Sequence, residues 1–498
     1  MIILLLIFVT VFMNCLPVYA SIEISEWNFG PRMLLDGRSS WPVSFQVNGK
    51  IYLIGGVSQY STNVHRSYLI EIYDIETGKW SKALEGETIP LPSNMPDAVL
   101  VKNKIYLIGG WGNQSSNTYY DVAHIYDIDK GTLSVTSKIP AGVAASRSAY
   151  NPDDNKIYTV SGYATGSGSA ICRLFIYDIS KDKWSEGPRV QNDRHGHTVT
   201  YHAGKIYLFG GYVNSGGWRY YNCLDIYNIK ESKWTTVRTT LARANHTATL
   251  VEDKIYFTGG ETKYNTSTNA VSIFDTKTGK FSDGSPLHVA RSEHNAINVD
   301  GKIIVTGGNF AQRQTPSEIY DISTDTWSTG APFKHDRFRH AVAYCNDRLY
   351  AISGVPVGAH STPSIEISSI LTPNYSVTYN SNGGVGNDYV ISNLKASEKH
   401  STLAVTVPRF SRAGYTFIGW NTQPDGKGQF YHPHKDLTVN GNITLYALWR
   451  SKIKVFFDAA GGKPFEFTAI EATLGQPYGE LPSTFREGYI FEGWYYED

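Results

Sequence analysis

The chain has 498 residues, 45 basic and 45 acidic, and a formal net charge of zero. That length is enough for two or more domains, and the balanced charge excludes the basic stripe of a nucleic-acid binder and the acidic tail of a charged-partner protein. Gly (46) and Tyr (34) are abundant while Met and Cys number four each, a composition that suits short strands joined by tight turns.

Residues 1–20 read as a signal peptide. Ile2 to Met13 is almost wholly apolar, the length of a signal core and too short for a span, and Val18-Tyr19-Ala20 offers a small residue at the cleavage point. The segment before the core has no Lys or Arg. No later stretch reaches about 18 apolar residues, so no transmembrane segment is expected in the mature chain. Cleavage would leave Cys172, Cys223 and Cys345, none in CxxC spacing, which read as packing residues with at least one unpaired thiol.

From residue 21 to 370 one sentence repeats. An apolar run closes on Gly55-Gly56, Gly109-Gly110, Ser161-Gly162, Gly210-Gly211, Gly259-Gly260, Gly307-Gly308 and Ser353-Gly354, with successive spacings of 54, 52, 49, 49, 48 and 46 residues. A period of this length marks a repeat architecture. Stems such as KIYLIGG and KIYLFGG alternate Tyr with aliphatic residues, as strands do. A second strand follows with an aromatic at Tyr73, Tyr126, Tyr177, Tyr227, Phe274 and Tyr320, and seven residues after each comes Trp80, Leu133, Trp184, Trp234, Phe281 or Trp327. With a short apolar strand before each doublet, every unit holds four antiparallel strands, a propeller blade whose two faces are buried only by its neighbours.

The seventh unit lacks a Trp strand, while Ile22 to Trp27 has one with no strands before it. Residues 22–31 are therefore expected to form the outer strand of the last blade and close a seven-bladed ring. The Gly-Gly, Tyr-Asp and Trp landmarks, recurring in this order over residues 22–370, resemble the kelch family. The resemblance implies an all-β propeller, with Leu133 and the two Ser-Gly doublets as departures.

After Ile370 the pattern stops, and Thr372-Pro373-Asn374 reads as a linker. Residues 371–450 carry Arg412-Ala-Gly-Tyr-Thr-Phe-Ile-Gly-Trp420 and close on Leu445-Tyr-Ala-Leu-Trp449; residues 451–498 carry Arg486-Glu-Gly-Tyr-Ile-Phe-Glu-Gly-Trp494 without a closing strand. This R-x-G-Y-x-F-x-G-W pattern is similar to the internalin-type B-repeat, which implies small β-rich modules of bacterial surface or secreted proteins. The second copy is expected to be incomplete, finished by further chain or by a partner.

Two groups of residues could carry function. Arg194, Arg243, Arg291 and Arg337 each stand three residues before a His (His197, His246, His294, His340) at one height on adjacent blades. They could grip an anion or glycan by bidentate hydrogen bonds, or serve the scaffold. A metal held by the histidines is excluded because neighbouring inner strands diverge, and no metal or cofactor is expected. The loops after the doublets carry Trp111, Tyr163, Tyr212 and Trp218, with Tyr60, Tyr119, Tyr120, Tyr220, Tyr221, Tyr264 and Phe310, among Ser, Asn and Gly. Rigid amphipathic rings of this kind suit recognition of a sugar or peptide. The expectation is a secreted or cell-surface binding protein whose propeller face takes a glycan or protein ligand and no nucleic acid. The alternative is a carbohydrate-active enzyme: kelch propellers of the sialic-acid mutarotase type imply a channel carboxylate beside Arg, for which Glu293, Arg291 and Arg337 are the candidates.

Overall fold

The computed structural model describes residues 22–34, 42–56, 70–84, 96–113, 118–165, 170–309, 315–356, 364–371, 375–395, 398–439, 441–463 and 469–496. The leader segment, the 372–374 linker, Tyr60 and Phe310 lie outside them. Two compact units are present, residues 23–371 and the C-terminal region from 372 onward.

The larger unit is all β. Six four-stranded antiparallel sheets and one five-stranded sheet follow one another along the chain. We call them blades 1 to 7. Blade 4 is representative, with strands Thr198–His202, Lys205–Phe209, Cys223–Asn228 and Lys233–Arg238 paired in that order. The first strands of successive blades lie side by side, and that of blade 7, Ala341–Cys345, lies against that of blade 1, Val43–Val47, so the ring is closed.

Burial along each blade explains its sequence. The second strand, Lys205–Phe209 in blade 4, is covered on both faces, so Ile206, Tyr207, Leu208 and Phe209 are all buried and no polar alternation survives. The outermost strand Lys233–Arg238 faces water, with Trp234 and Val237 half-buried and its other residues exposed. Apolar clusters straddle the seams. Tyr158 and Val160 of blade 3 pack with Ile206, Leu208 and Tyr227 of blade 4, and Ile51 and Leu53 of blade 1 pack with Tyr350, Ile352 and Ile365 of blade 7.

The outer-strand tryptophans tie each blade to the one before. Trp184 Nε1 donates to Thr136 Oγ1 at 3.1 Å, Trp234 Nε1 to Pro188 O at 3.0 Å and Trp327 Nε1 to Ser285 O at 2.7 Å. Leu133 and Phe281 have no N–H to donate, and blades 2 and 5 forgo this bond. The N-terminal segment completes the series. Glu23–Ile24 and Asn28–Phe29 pair antiparallel with Ile365–Leu371, the outer strand that blade 7 lacks. Trp27 is fully buried between them, donating to Ala331 O at 3.2 Å and Ser317 Oγ at 3.3 Å of blade 6 and packing edge-on to Phe333. Trp80 of blade 1 in turn donates to Pro31 O at 3.2 Å.

The C-terminal unit is built on the strand Ile443–Phe456, 14 residues long. Its first half pairs in parallel with Tyr375–Asn380 and antiparallel with Tyr415–Asn421. Its second half pairs with Ala469–Thr473 of the next repeat. Trp420 is fully buried at the centre of the first module and donates to Leu403 O at 2.6 Å. In the second, Trp494 Nε1 donates to Pro482 O at 2.6 Å, and Tyr489, Ile490, Tyr495 and Tyr496 are exposed.

Trp27 tests the closure. Trp27→Ala leaves a cavity at the seam of blades 6 and 7 and unpairs Ala331 O. The expected cost is about 3–5 kcal/mol, read as a lower urea midpoint of the whole propeller transition; an unchanged midpoint would mean the ring is held shut elsewhere.

Candidate functional site

The four arginines are not ligand contacts, contrary to one of the two readings open from sequence. Each is 0 % exposed and turned into its own blade. Arg243 donates through Nη1 to Phe257 O, Gly259 O and Ala270 O at 3.0–3.2 Å and through Nη2 to Ser272 Oγ at 2.9 Å. Arg291 binds Gly307 O, Pro316 O and Glu318 Oε1. Arg337 binds Ser353 O, Ser364 O and Glu366. Arg194 binds Asp225 and Cys223 Sγ. The carboxylates are as deeply buried as the guanidiniums they neutralise. Arg243 has no such carboxylate, and desolvation pulls it down to about 10.

The rest of the R-x-x-H motif joins blades. The carbonyls of Arg243, Arg291 and Arg337 accept the N–H of Gly211, Gly260 and Gly308 in the preceding blade, each at 2.9 Å. The imidazoles follow: His246 Nε2 meets Thr198 Oγ1 at 3.0 Å, His294 Nε2 meets Thr247 and Thr258 Oγ1 at 3.2 Å, and His340 Nε2 meets Thr306 Oγ1 at 3.0 Å. Burial drives all three, and His197, far below the ordinary imidazole range, so they are neutral.

The third position of the motif is the one that reaches the channel. Gly196, Asn245, Glu293 and Arg339 all adopt positive φ, between 52° and 69°. Asn245 N donates to Gly196 O, Glu293 N to Asn245 O and Arg339 N to Glu293 O, each at 2.9 Å, so these four residues form a hydrogen-bonded arc around the mouth. They open on a cavity of about 330 Å³ that Asp97, Arg147 and Asn295 also line. Arg339 Nη2 donates to Glu293 Oε1 at 2.6 Å, so the carboxylate on which the channel-enzyme alternative depends is an ion-pair partner. Burial pushes the Asp97 carboxyl up to about 6, against the pull of the Arg147 charge. Among the described residues, no group of three His, Cys, Asp or Glu is placed to hold a metal ion. Sequence reasoning missed Asn245, Arg339, Asp97 and Arg147. The signal was present, because Arg and His stay constant from blade to blade while the third position varies.

Beside the mouth, Tyr163, Tyr212 and Trp218 come together through His195. They belong to one ladder of rings. Tyr163 meets His195 at a centroid distance of 4.8 Å, His195 meets Tyr212 at 4.1 Å, Tyr212 meets Trp218 at 5.1 Å and Trp218 meets Tyr264 at 4.8 Å. Tyr220 stacks on Tyr212 at 5.4 Å and its hydroxyl donates to Glu261 Oε2 at 3.4 Å. The inner rings are half-buried, while Trp218 and Tyr264 are 44 % and 58 % exposed. Two short hairpins carry the outer rings, Tyr212–Asn214 with Trp218–Tyr220, and Glu261–Lys263 with Thr266–Ser267. Trp111 opens the strand Trp111–Asn113, and its side chain lies outside the described residues.

Comparison with known proteins agrees with this architecture. Residues 148–354 match the KLHDC2/KLHL20/DRC7 Kelch-repeats domain, residues 40–214 the Attractin/LZTR1 beta-propeller, and residues 375–448 and 454–498 the Listeria-Bacteroides repeat domain. The chain carries a kelch-repeat β-propeller followed by a Listeria-Bacteroides repeat domain. It is similar to Kelch-like protein 40 of Xenopus laevis, 24 % identical over 243 residues that cover 47 % of this chain and 39 % of that protein. Kelch-like protein 41a of Danio rerio is 25 % identical over 50 % of this chain and 42 % of its own length. The chain thus spans about two fifths of these relatives. A putative Gly-rich membrane protein of Evansella cellulosilytica is 38 % identical over 87 residues, 17 % of this chain and 10 % of that protein. Among solved structures, one titled "Structure of YjhT" aligns with a TM-score of 0.45 and 14 % identity over 61 % of this chain and 98 % of that one. A kelch propeller joined to this bacterial repeat fits a binding role.

Two outcomes follow for the kelch seams. Arg337→Met leaves Glu366 buried without its counter-charge, so a loss of roughly 3–5 kcal/mol is expected in chemical denaturation; a variant as stable as the parent would return Arg337 to the list of ligand contacts. Acid should also weaken the ring. His340 is held near 3, His124 and His195 near 4, and His197, His246 and His294 well below 6.5. Below pH of about 6.5 the unfolded chain takes up protons that the folded one refuses, so the stability present above that pH is lost as pH falls. Each histidine withdraws up to about 1.4 kcal/mol per pH unit, with Asp97, whose shift is upward, opposing. Tm should drop steeply from pH 7.5 to 5.5, and a flat profile would contradict neutral histidines in the fold.

Proposed function

We propose that this chain is an exported binding protein, secreted or held at a cell surface, whose propeller face recognises a glycan or protein ligand through the ladder on blades 3 to 5. The observation that carries the reading is the outer end of that ladder, where Trp218 and Tyr264 stand 44 % and 58 % exposed on adjacent hairpins. Large rings left in water on a rigid support are the usual anchors of recognition surfaces. Tyr163, Tyr212 and Trp218 are the proposed contacts, and Trp111 remains a candidate from sequence. The C-terminal repeats serve as a spacer, and the apolar leader directs export. The match to a bacterial repeat domain and the similarity to a protein named as a putative membrane protein support a surface location.

The full chain would be probed on a glycan array and on an arrayed peptide library. Trp218→Ala/Tyr264→Ala is expected to weaken the hits by at least about tenfold, some 1.4 kcal/mol, with Tm unchanged because neither ring is in the core. Hits indifferent to the double substitution, or no hits on either array, would overturn the reading.

A further inference from the structure

The ladder and the channel mouth are one continuous surface. Gly196 belongs to both. A Cβ at this residue, whose φ is +69°, would stand 3.1 Å from the Tyr212 ring and 2.8 Å from Asn245 Oδ1. Glu261 closes the junction from the other side, accepting from Tyr220 of the ladder at 3.4 Å and from Asn245 Nδ2 of the mouth at 3.3 Å. The rings and the mouth are therefore near neighbours on blades 4 and 5.

The chemistry of the mouth selects among ligands. Glu293 is paired with Arg339 at 2.6 Å, and Asp97 and Arg147 line the same cavity. Asn245 and Asn295 add amides to the same wall. A peptide anchor asks for an apolar hole or an uncompensated charge, whereas this wall is rich in amides and carries the Glu293–Arg339 pair. Donors and acceptors set side by side without net charge match vicinal hydroxyls, each of which both donates and accepts. The volume, about 330 Å³, is at the small end of ligand pockets and suits the end of a chain, not its middle.

Resting on the proposal that the ladder binds a ligand, we infer that the ligand is an oligosaccharide: its terminal unit sits in the channel mouth among the Glu293–Arg339 pair, Asn245, Asn295, Asp97 and Arg147, and the following units lie along Tyr212, Trp218 and Tyr264. Recognition then depends on a free chain end.

The test uses the full chain on a glycan array. Each hit is remeasured with the same oligosaccharide carrying a bulky cap on its free end, and with the variant Glu293→Gln/Arg339→Gln, which keeps side-chain length at position 293 and removes both charges. Binding reduced tenfold or more by the cap and by the variant, and also by Trp218→Ala, is the expected result. Glycan binding that tolerates the cap would overturn the terminal seating while leaving the ladder as a binding surface. Peptide hits without glycan hits would overturn the inference and keep the ladder; no hits sensitive to Trp218→Ala would remove both. The cap needs no substitution, so a variant that fails to fold does not blunt the test.

Discussion

The placement of both the channel mouth and the ring ladder depends on how one blade meets the next. At the seams of blades 4 to 7 an arginine carbonyl accepts the N–H of the second glycine of the preceding doublet, at 2.9 Å. The first glycine is pressed against the same carbonyl. A Cβ at Gly210, Gly259 or Gly307 would fall 2.4–2.5 Å from it and 2.7–2.8 Å from the imidazole of the following histidine. No L-residue fits there at φ near +60°. The doublet is thus a socket and R-x-x-H the plug. Ser161 shows the alternative: where the first glycine is replaced, the Arg194 carbonyl instead takes the Cys172 thiol at 3.4 Å.

This interlock explains why the arginines are spent on structure. A carbonyl fixed to a neighbour needs its own residue fixed too, and the long side chain reaches back into the third strand of its blade. There it finds Asp225, Ser272, Glu318 or Glu366, each polar in an otherwise buried strand. Removing either partner leaves the other uncompensated in a low dielectric. Two residues of the motif are thereby committed, and only the position before the histidine, lifted into the lumen by its positive φ, is free to carry specificity.

Much of this was legible from the residues alone. The period, the Trp landmarks and the orphan strand at residues 22–31 specify a ring closed by its N-terminus, because a sheet edge lacking a partner and a partner lacking a sheet admit one solution. The loop aromatics divide: Trp218 and Tyr264 stand in water, while Tyr119 and Tyr221, set among the same small polar residues, are buried against the blades. The arginines were open to misreading because spacing gives the height of a residue on its strand but not the direction of a flexible side chain. The polar residues Asp225, Glu318 and Glu366, set in apolar third strands, were the clue to that direction. The mouth was hidden for a different reason: positive φ at Asn245, Glu293 and Arg339 follows from the seam and leaves no trace in local propensity.

The same seam also gives the ladder its stiffness. His195 exchanges both backbone hydrogen bonds with Tyr212, at 2.8 and 2.9 Å, and Ala244 does so with Glu261, at 2.7 and 2.9 Å. In blades 4 and 5 the second residue of the R-x-x-H motif therefore clamps the first residue of the hairpin that carries the rings. Tyr212, Trp218 and Tyr220 then brace one another within 5.4 Å. A surface ordered in this way has already lost the loop and side-chain entropy that association otherwise costs, about 0.5–1.5 kcal/mol per immobilised side chain. A contact that closes the ring thus also holds the rings in place, and blades 4 and 5, which have both plug and hairpin, carry the outer rings of the ladder.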